Sequence, residues 1–129
     1  YAIALAAGSD QHHVRAVELA DGIERQSRRL ITTRAVLLEI GNALAKQRYR
    51  PAATRLLSSI ESDPSIEIVS LTNDLYDQAF DLFRNRPDKE WGLTDCVSFV
   101  VMQARELTEA LTSDDHFEQA GFLALLRQA

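Results

Sequence analysis

The chain has 129 residues, 46% hydrophobic and 26% charged, with a formal net charge of −5, which is the size and balance of one soluble domain with a single core. No apolar run approaches the roughly 18 residues of a membrane span, and the opening YAIALAA lacks the basic flank of a signal peptide. The lone cysteine, Cys96, excludes an internal disulfide and fits a reducing cytoplasm, and the absence of CxxC or paired Cys-His spacing argues against a structural zinc site.

Tyr1 to Leu5 read as a helix or the passage from a strand into one. From His12 to Gln26 apolar residues recur at helical spacing (Ala16, Leu19, Ala20, Ile23). Arg29 to Thr32 makes a short apolar strand, and Thr32 or Thr33 caps a helix running to about Gln47. After Pro51 a further helix spans Ala52 to Glu61. Ser65 to Leu71 alternates in the β manner. Thr72 or Asn73 caps a helix carrying Leu75, Ala79, Leu82 and Phe83, closed by Pro87. Thr94 is the expected N-cap of a helix to about Leu107, with Asp95 in its first turn. Glu109 to Thr112 is a short strand, His116 to Ala120 a short helix, and the tail from Phe122 an extended end. Strands alternating with helices, without repeat or linker, predict one α/β domain over residues 1–129 with a mainly parallel sheet covered on both faces.

In such a sheet ligands gather beyond the carboxyl ends of the strands. Asp114 follows a strand, Asp95 opens a helix, and Glu39 flanks the apolar stripe of Val36, Ile40, Ala43 and Leu44, with Asn42 one turn on. Gathered carboxylates raise one another's pKa. A hard divalent cation removes that cost, so the pattern points to a metal site. Each acid also has a plainer reading: Asp95 favouring a helix dipole, Asp114 a turn or cap, Glu39 a solvated flank. The case rests on their joint arrangement. Twelve of the fourteen basic residues are arginine, suited to bidentate phosphate contacts. Arg25, Arg28, Arg29 and Arg34, then Arg48, Arg50 and Arg55, form local patches that keep RNA compatible with the acidic total.

The stretches SDQHHVRAVEL, LITTRAVLLEIGNAL, WGLTDCVSFVVM and ALTSDDHFEQAGF resemble the PIN-domain nucleases, and most closely the VapC-like ribonuclease toxins of toxin–antitoxin pairs. The resemblance covers most of the chain. It implies a three-layer α/β/α sandwich around a central, mainly parallel sheet, and a Mg²⁺- or Mn²⁺-dependent endoribonuclease. The family's second, third and fourth acids match Glu39, Asp95 and Asp114, as metal ligands and catalytic groups. Asp115 stands as an auxiliary ligand. Asn42, Thr94, Thr112 and Ser113 match polar positions beside the site, and His116 is placed to contact phosphate.

The family's first acid ends the first strand, ahead of a hydrophobic helix. Tyr1 to Leu5 match that helix, so the first strand and its aspartate are expected to be missing from this chain and to precede Tyr1. Asp10 falls too late for the role. The resemblance further implies an RNA substrate, a small antitoxin protein, a homodimer and a cytoplasmic setting without a membrane. Ala2, Ile3, Leu5, Val17, Leu56 and Leu57 are candidates for an antitoxin groove, or else core. Trp91, Phe99 and Cys96 read as packing residues. Two other functions fit the residues: a PIN-like binding scaffold without catalysis, and a metal-dependent phosphatase or DNA nuclease.

Overall fold

The protein's structure, a computed structural model, describes residues 2–5, 29–112 and 114–125. The predicted helix over residues 12–26 and Ser113 lie outside them. The strands are β1 (Ala2–Leu5), β2 (Arg29–Thr33), β3 (Ile66–Val69), β4 (Glu109–Leu111) and β5 (Leu123–Ala124). The helices are α1 (Arg34–Ala43), α2 (Arg50–Ser62), α3 (Asn73–Asn85), α4 (Leu93–Ala104) and α5 (Asp115–Gln119). All strand pairs are parallel, in the order β3-β2-β1-β4-β5.

Strand alternation divides the core between the two faces of this sheet. Leu30, Ile66, Ile68 and Leu111 point to one side, where Val36, Leu37 and Ile40 of α1 and Ile60 of α2 meet them. Ile31 and Ala110, adjacent to Leu30 and Leu111 along β2 and β4, point to the other side. There Leu75 and Ala79 of α3, Val97 and Met102 of α4 and Phe117 of α5 cover them. The result is the three-layer α/β/α sandwich. Phe99 anchors the second face: its ring meets Trp91, Phe117 and Phe122 at centroid distances of 5.0, 4.8 and 5.7 Å. A fully buried aromatic of this kind contributes about 3 kcal/mol relative to exposure.

Local chemistry sets most boundaries as the sequence suggests. Thr33 and Thr72 cap α1 and α3, their hydroxyls accepting from Val36 N–H (3.2 Å) and Leu75 N–H (3.1 Å). Pro51 sits in the first turn of α2, where its missing N–H costs nothing. α4 and α5 end in the same motif. Leu107 N–H reaches back to Met102 O (2.8 Å) and Phe122 N–H to Phe117 O (2.9 Å), each around a residue with positive φ. That residue is Gly121 (φ 96°) after α5, but Glu106 (φ 56°) after α4.

Four expectations are corrected. Residues 2–5 do not begin a helix: Ala2–Leu5 is β1, the central strand, with Ala4 paired to both Ile31 and Ala110. The hydrogen-bonding edges of β2 and β4 both need a partner, and this tertiary demand outweighs a local helical reading. α1 ends at Ala43 rather than Gln47, because the Arg50 guanidinium takes the Ala45 carbonyl (2.8 Å) and a turn closes at Lys46. α4 begins at Leu93 with Gly92 as its N-cap, in place of Thr94. It stops at Ala104 rather than Leu107, where the chain turns left-handed at Glu106.

Candidate metal centre

α4 presents Asp95 through a backbone lock. The Asp95 carboxylate sits three residues into the helix and its Oδ2 accepts from the Gly92 N–H (3.1 Å), the half of a capping box that a glycine N-cap allows. Glycine has no polar side chain to return the bond, so the aspartate alone supplies the cap. The spacing of a glycine three places before an acid at a helix start is the signal by which Gly92 could have been found in the sequence.

Asp114 is held from both sides along the chain. Its N–H donates to Thr112 Oγ1 (3.1 Å), and its own Oδ1 accepts from His116 N–H (2.9 Å), making it the N-cap of α5. The cap reading and the site reading of Asp114 thus describe the same geometry. Thr112 is buried, so its hydroxyl acts on the turn rather than on anything in solvent.

His116 lies between the two acids. Its Nδ1 is 3.2 Å from Asp95 Oδ2 and 3.4 Å from Asp114 Oδ1. Among the described residues, Asp95, Asp114 and His116 form the group whose potential ligand atoms all lie within 4.8 Å of one another. Asp95 and Asp114 are only 13% and 21% exposed at their side chains, and burial pushes the Asp95 carboxyl above the usual carboxylate range. The Gly92 N–H and the His116 ring act against that rise, while the charge of Asp114 adds to it.

Glu39 faces this group from α1. Residues Ala35, Leu38, Glu39 and Asn42 share one helical face and line a cleft of about 240 Å³ opposite Leu93, Thr94 and Val97 of α4. Burial raises the Glu39 carboxyl above its ordinary pKa; a hydrogen bond from Thr94 lowers it, and the charges of Asp95 and Asp114 raise it again. Three acids from three elements thus lie close enough to feel one another's charge. Carboxylate oxygens with one imidazole nitrogen, partly buried and mutually repelling, fit a small divalent cation. No acid reaches this group from β1, whose residues are Ala2, Ile3, Ala4 and Leu5.

The remaining expected residues fall outside the central group. Asp115 is exposed, its carboxylate facing Gln119 Nε2 (3.4 Å) along α5. Asn42 and Thr94 line the cleft beside Glu39. Cys96 is fully buried with its thiol pushed up to about 11 by burial and by the Asp95 charge, which removes it as a nucleophile. Trp91 is buried, its indole N–H donating to Gln119 Oε1 (3.2 Å). That bond ties the segment before Asp95 to the helix carrying His116, a link between residues 28 positions apart that no local pattern displays.

A family model described as PIN domain matches residues 1–123. Among solved structures, the chain is similar to VapC20 of Mycobacterium tuberculosis, described as a toxin that cleaves the sarcin-ricin loop. The two share 26% identity over 74% of this chain and 72% of that one, with a TM-score of 0.68. No curated protein sequence matches the chain.

Proposed function

The chain belongs to the PIN-domain family, and from that premise we propose that it is a divalent-metal-dependent endoribonuclease and the toxin of a toxin–antitoxin pair. The observation that carries this reading is that Asp95 and Asp114 gather in one group with His116 while Glu39, from α1, lies close enough to feel the charge of both acids. The structural likeness to an RNA-cleaving toxin supports RNA as the substrate.

Asp95 and Asp114 would hold the cation, Mg²⁺ or Mn²⁺, with Glu39 close by on α1. Bound there, a divalent cation supplies an acidified water and stabilises charge on the phosphate. The chain's own contribution is positioning and proton transfer. The Gly92 N–H and the His116 N–H hold the Asp95 and Asp114 carboxylates in place, and the Thr112 hydroxyl fixes the Asp114 backbone. Glu39, its pKa raised by burial, is the group suited to take a proton from the attacking water. The Thr94 hydroxyl orients Glu39, and Asn42 offers an amide to phosphate one helical turn away. Ser113 and Asp115 remain auxiliary. Leu71 and Tyr76 wall the cleft.

A homodimer is part of the same reading. α3 exposes Tyr76, Phe80 and Phe83 along one side, the first two with nearly parallel rings 6.3 Å apart. Asp74, Asp77 and Asp81 fill its first turns, while Arg84 and Arg86 stand at its end. Two copies related by a twofold axis, with α3 helices antiparallel, set each acidic half against the other's arginines. The antitoxin remains a proposal from the family; Leu56 and Leu57, two residues expected in its groove, pack half-buried against the α1–α2 core. No helix among the described residues is long and apolar enough to cross a membrane, and the single cysteine suits the cytoplasm.

A second reading, a binding module without catalysis, draws on the lack of a carboxylate on β1. Incubating the antitoxin-free protein with cellular RNA and Mg²⁺ or Mn²⁺, beside chelator and Asp95→Asn controls, decides between them. Cleavage abolished by both controls is the expected result; intact RNA from folded protein under either ion favours the binding module.

A further inference from the structure

We propose that the His116 imidazole is a nitrogen ligand of the cation site, which therefore prefers Mn²⁺ to Mg²⁺; this rests on reading the cleft as a cation site. The ring is already where a ligand belongs. Neighbouring ligands of a six-coordinate ion with donors about 2.1 Å away stand about 3 Å apart. His116 Nδ1 lies 3.2 Å from Asp95 Oδ2 and 3.4 Å from Asp114 Oδ1, one corner next to both carboxylates.

The fold holds the ring there. The His116 N–H donates to Asp114 Oδ1 (2.9 Å), so the ring and one carboxylate ride on the same turn. The next residue, Phe117, is fully buried and packs edge-on against Phe99 at 4.8 Å, fixing α5 to α4 and hence to Asp95. The imidazole is 25% exposed, with its Nδ1 turned to the acids rather than to solvent. β1 contributes no carboxylate, so the ring adds a donor that the acids do not supply.

Ligand chemistry then decides the ion. Mg²⁺ takes oxygen donors and gives up its waters reluctantly. First-row transition ions accept imidazole, and Mn²⁺ among them is also at home with carboxylates. A mixed set of two aspartates and one histidine therefore raises Mn²⁺ affinity relative to Mg²⁺. The competing arrangement uses the same distances differently: Nδ1–H donates to Asp95, and the ring never touches the ion.

Electron paramagnetic resonance of Mn²⁺ titrated into the antitoxin-free protein separates the two, with Mg²⁺ as competitor. The expected spectrum of the wild type shows spin-echo modulation from a directly bound nitrogen, lost in His116→Asn. That variant should also lose about tenfold or more in Mn²⁺ affinity, with Mg²⁺ affinity changed far less. Asp95→Asn, which loses both ions, confirms that the signal comes from this cleft. Mn²⁺ bound in an Asp95-dependent way without nitrogen modulation overturns the proposal and leaves the cation reading standing. Folded wild type that binds neither ion overturns both. If His116→Asn does not fold, the wild-type modulation alone decides.

Discussion

His116 Nδ1 lies 3.2 Å from Asp95 Oδ2, joining the first turns of α4 and α5 across 21 residues of sequence. Asp95 therefore serves two masters, the helix start and the acid group, and substitutions can separate them. Asparagine keeps an oxygen for the Gly92 N–H but gives up the charge. Asp95→Asn should leave the melting temperature near wild type while cleavage falls at least about 100-fold, the scale of removing one electrostatic contributor. Asp95→Ala should also lose the cap and about 1 kcal/mol of stability. Thermal melts run beside cleavage rates check both; an active Asp95→Asn would remove this residue from the chemistry.

Glu39 should make the metal-free protein less stable as pH rises. Its folded pKa stands above the ordinary 4.5, chiefly through burial, so the folded state binds more protons than the unfolded chain between those two values. Unfolding free energy then falls with increasing pH across that window and levels off above it. Asp95 acts in the same sense from its own ordinary value of 3.8. Glu39→Gln should flatten part of the slope and be more stable than wild type at neutral pH in chelator. Urea titrations across the window measure this, and a wild-type slope no steeper than the variant's would contradict it. Added divalent cation, binding only the folded state, should narrow the difference.

Cys96 should be chemically silent. With the side chain fully buried and the thiol pushed up to about 11, iodoacetamide at mildly alkaline pH should label unfolded protein and spare native protein. Cys96→Ala should keep its cleavage rate within about twofold of wild type while losing roughly 1 kcal/mol for the vacated volume. Mass spectrometry of the labelled protein reads the first outcome directly.

Glu106 holds a left-handed conformation (φ 56°) in the position that Gly121 (φ 96°) fills after α5. A side chain there costs about 1–2 kcal/mol, partly offset by the freedom glycine has when unfolded. Glu106→Gly should therefore stabilise the protein by up to about 1 kcal/mol, and Gly121→Ala should destabilise it. Denaturation midpoints of the two variants should move in opposite directions.

Phe80 sits in the middle of the exposed α3 stripe, 40% exposed and stacked near Tyr76. Phe80→Glu adds a charge to the proposed dimer face without touching the core. Light scattering should show wild type as a dimer and the variant shifted to monomer, with the circular dichroism unchanged. A monomeric wild type at micromolar concentration, or an unaffected variant, would rule out this face.

Much of this protein is legible in its sequence because much of its local structure is made by neighbours. Thr33 and Thr72 cap helices with hydroxyls that reach only three residues, and β2 shows itself as a short apolar run. The acids Glu39, Asp95 and Asp114 are visible by their places at a helix flank, a helix start and a strand end. What the sequence could not decide depends on partners far along the chain. Ala2–Leu5 is a strand because β2 and β4 flank it with unpaired backbone groups, not because of its own composition. Gly92 caps α4 because the Asp95 carboxylate folds back onto its N–H. His116 enters the acid group only once Phe99 and Phe117 have packed α5 against α4. Hydrogen-bond partners in a parallel sheet and charges in a shared cleft act over a few ångströms of space, whatever their distance in sequence, and only the packed fold brings them that close.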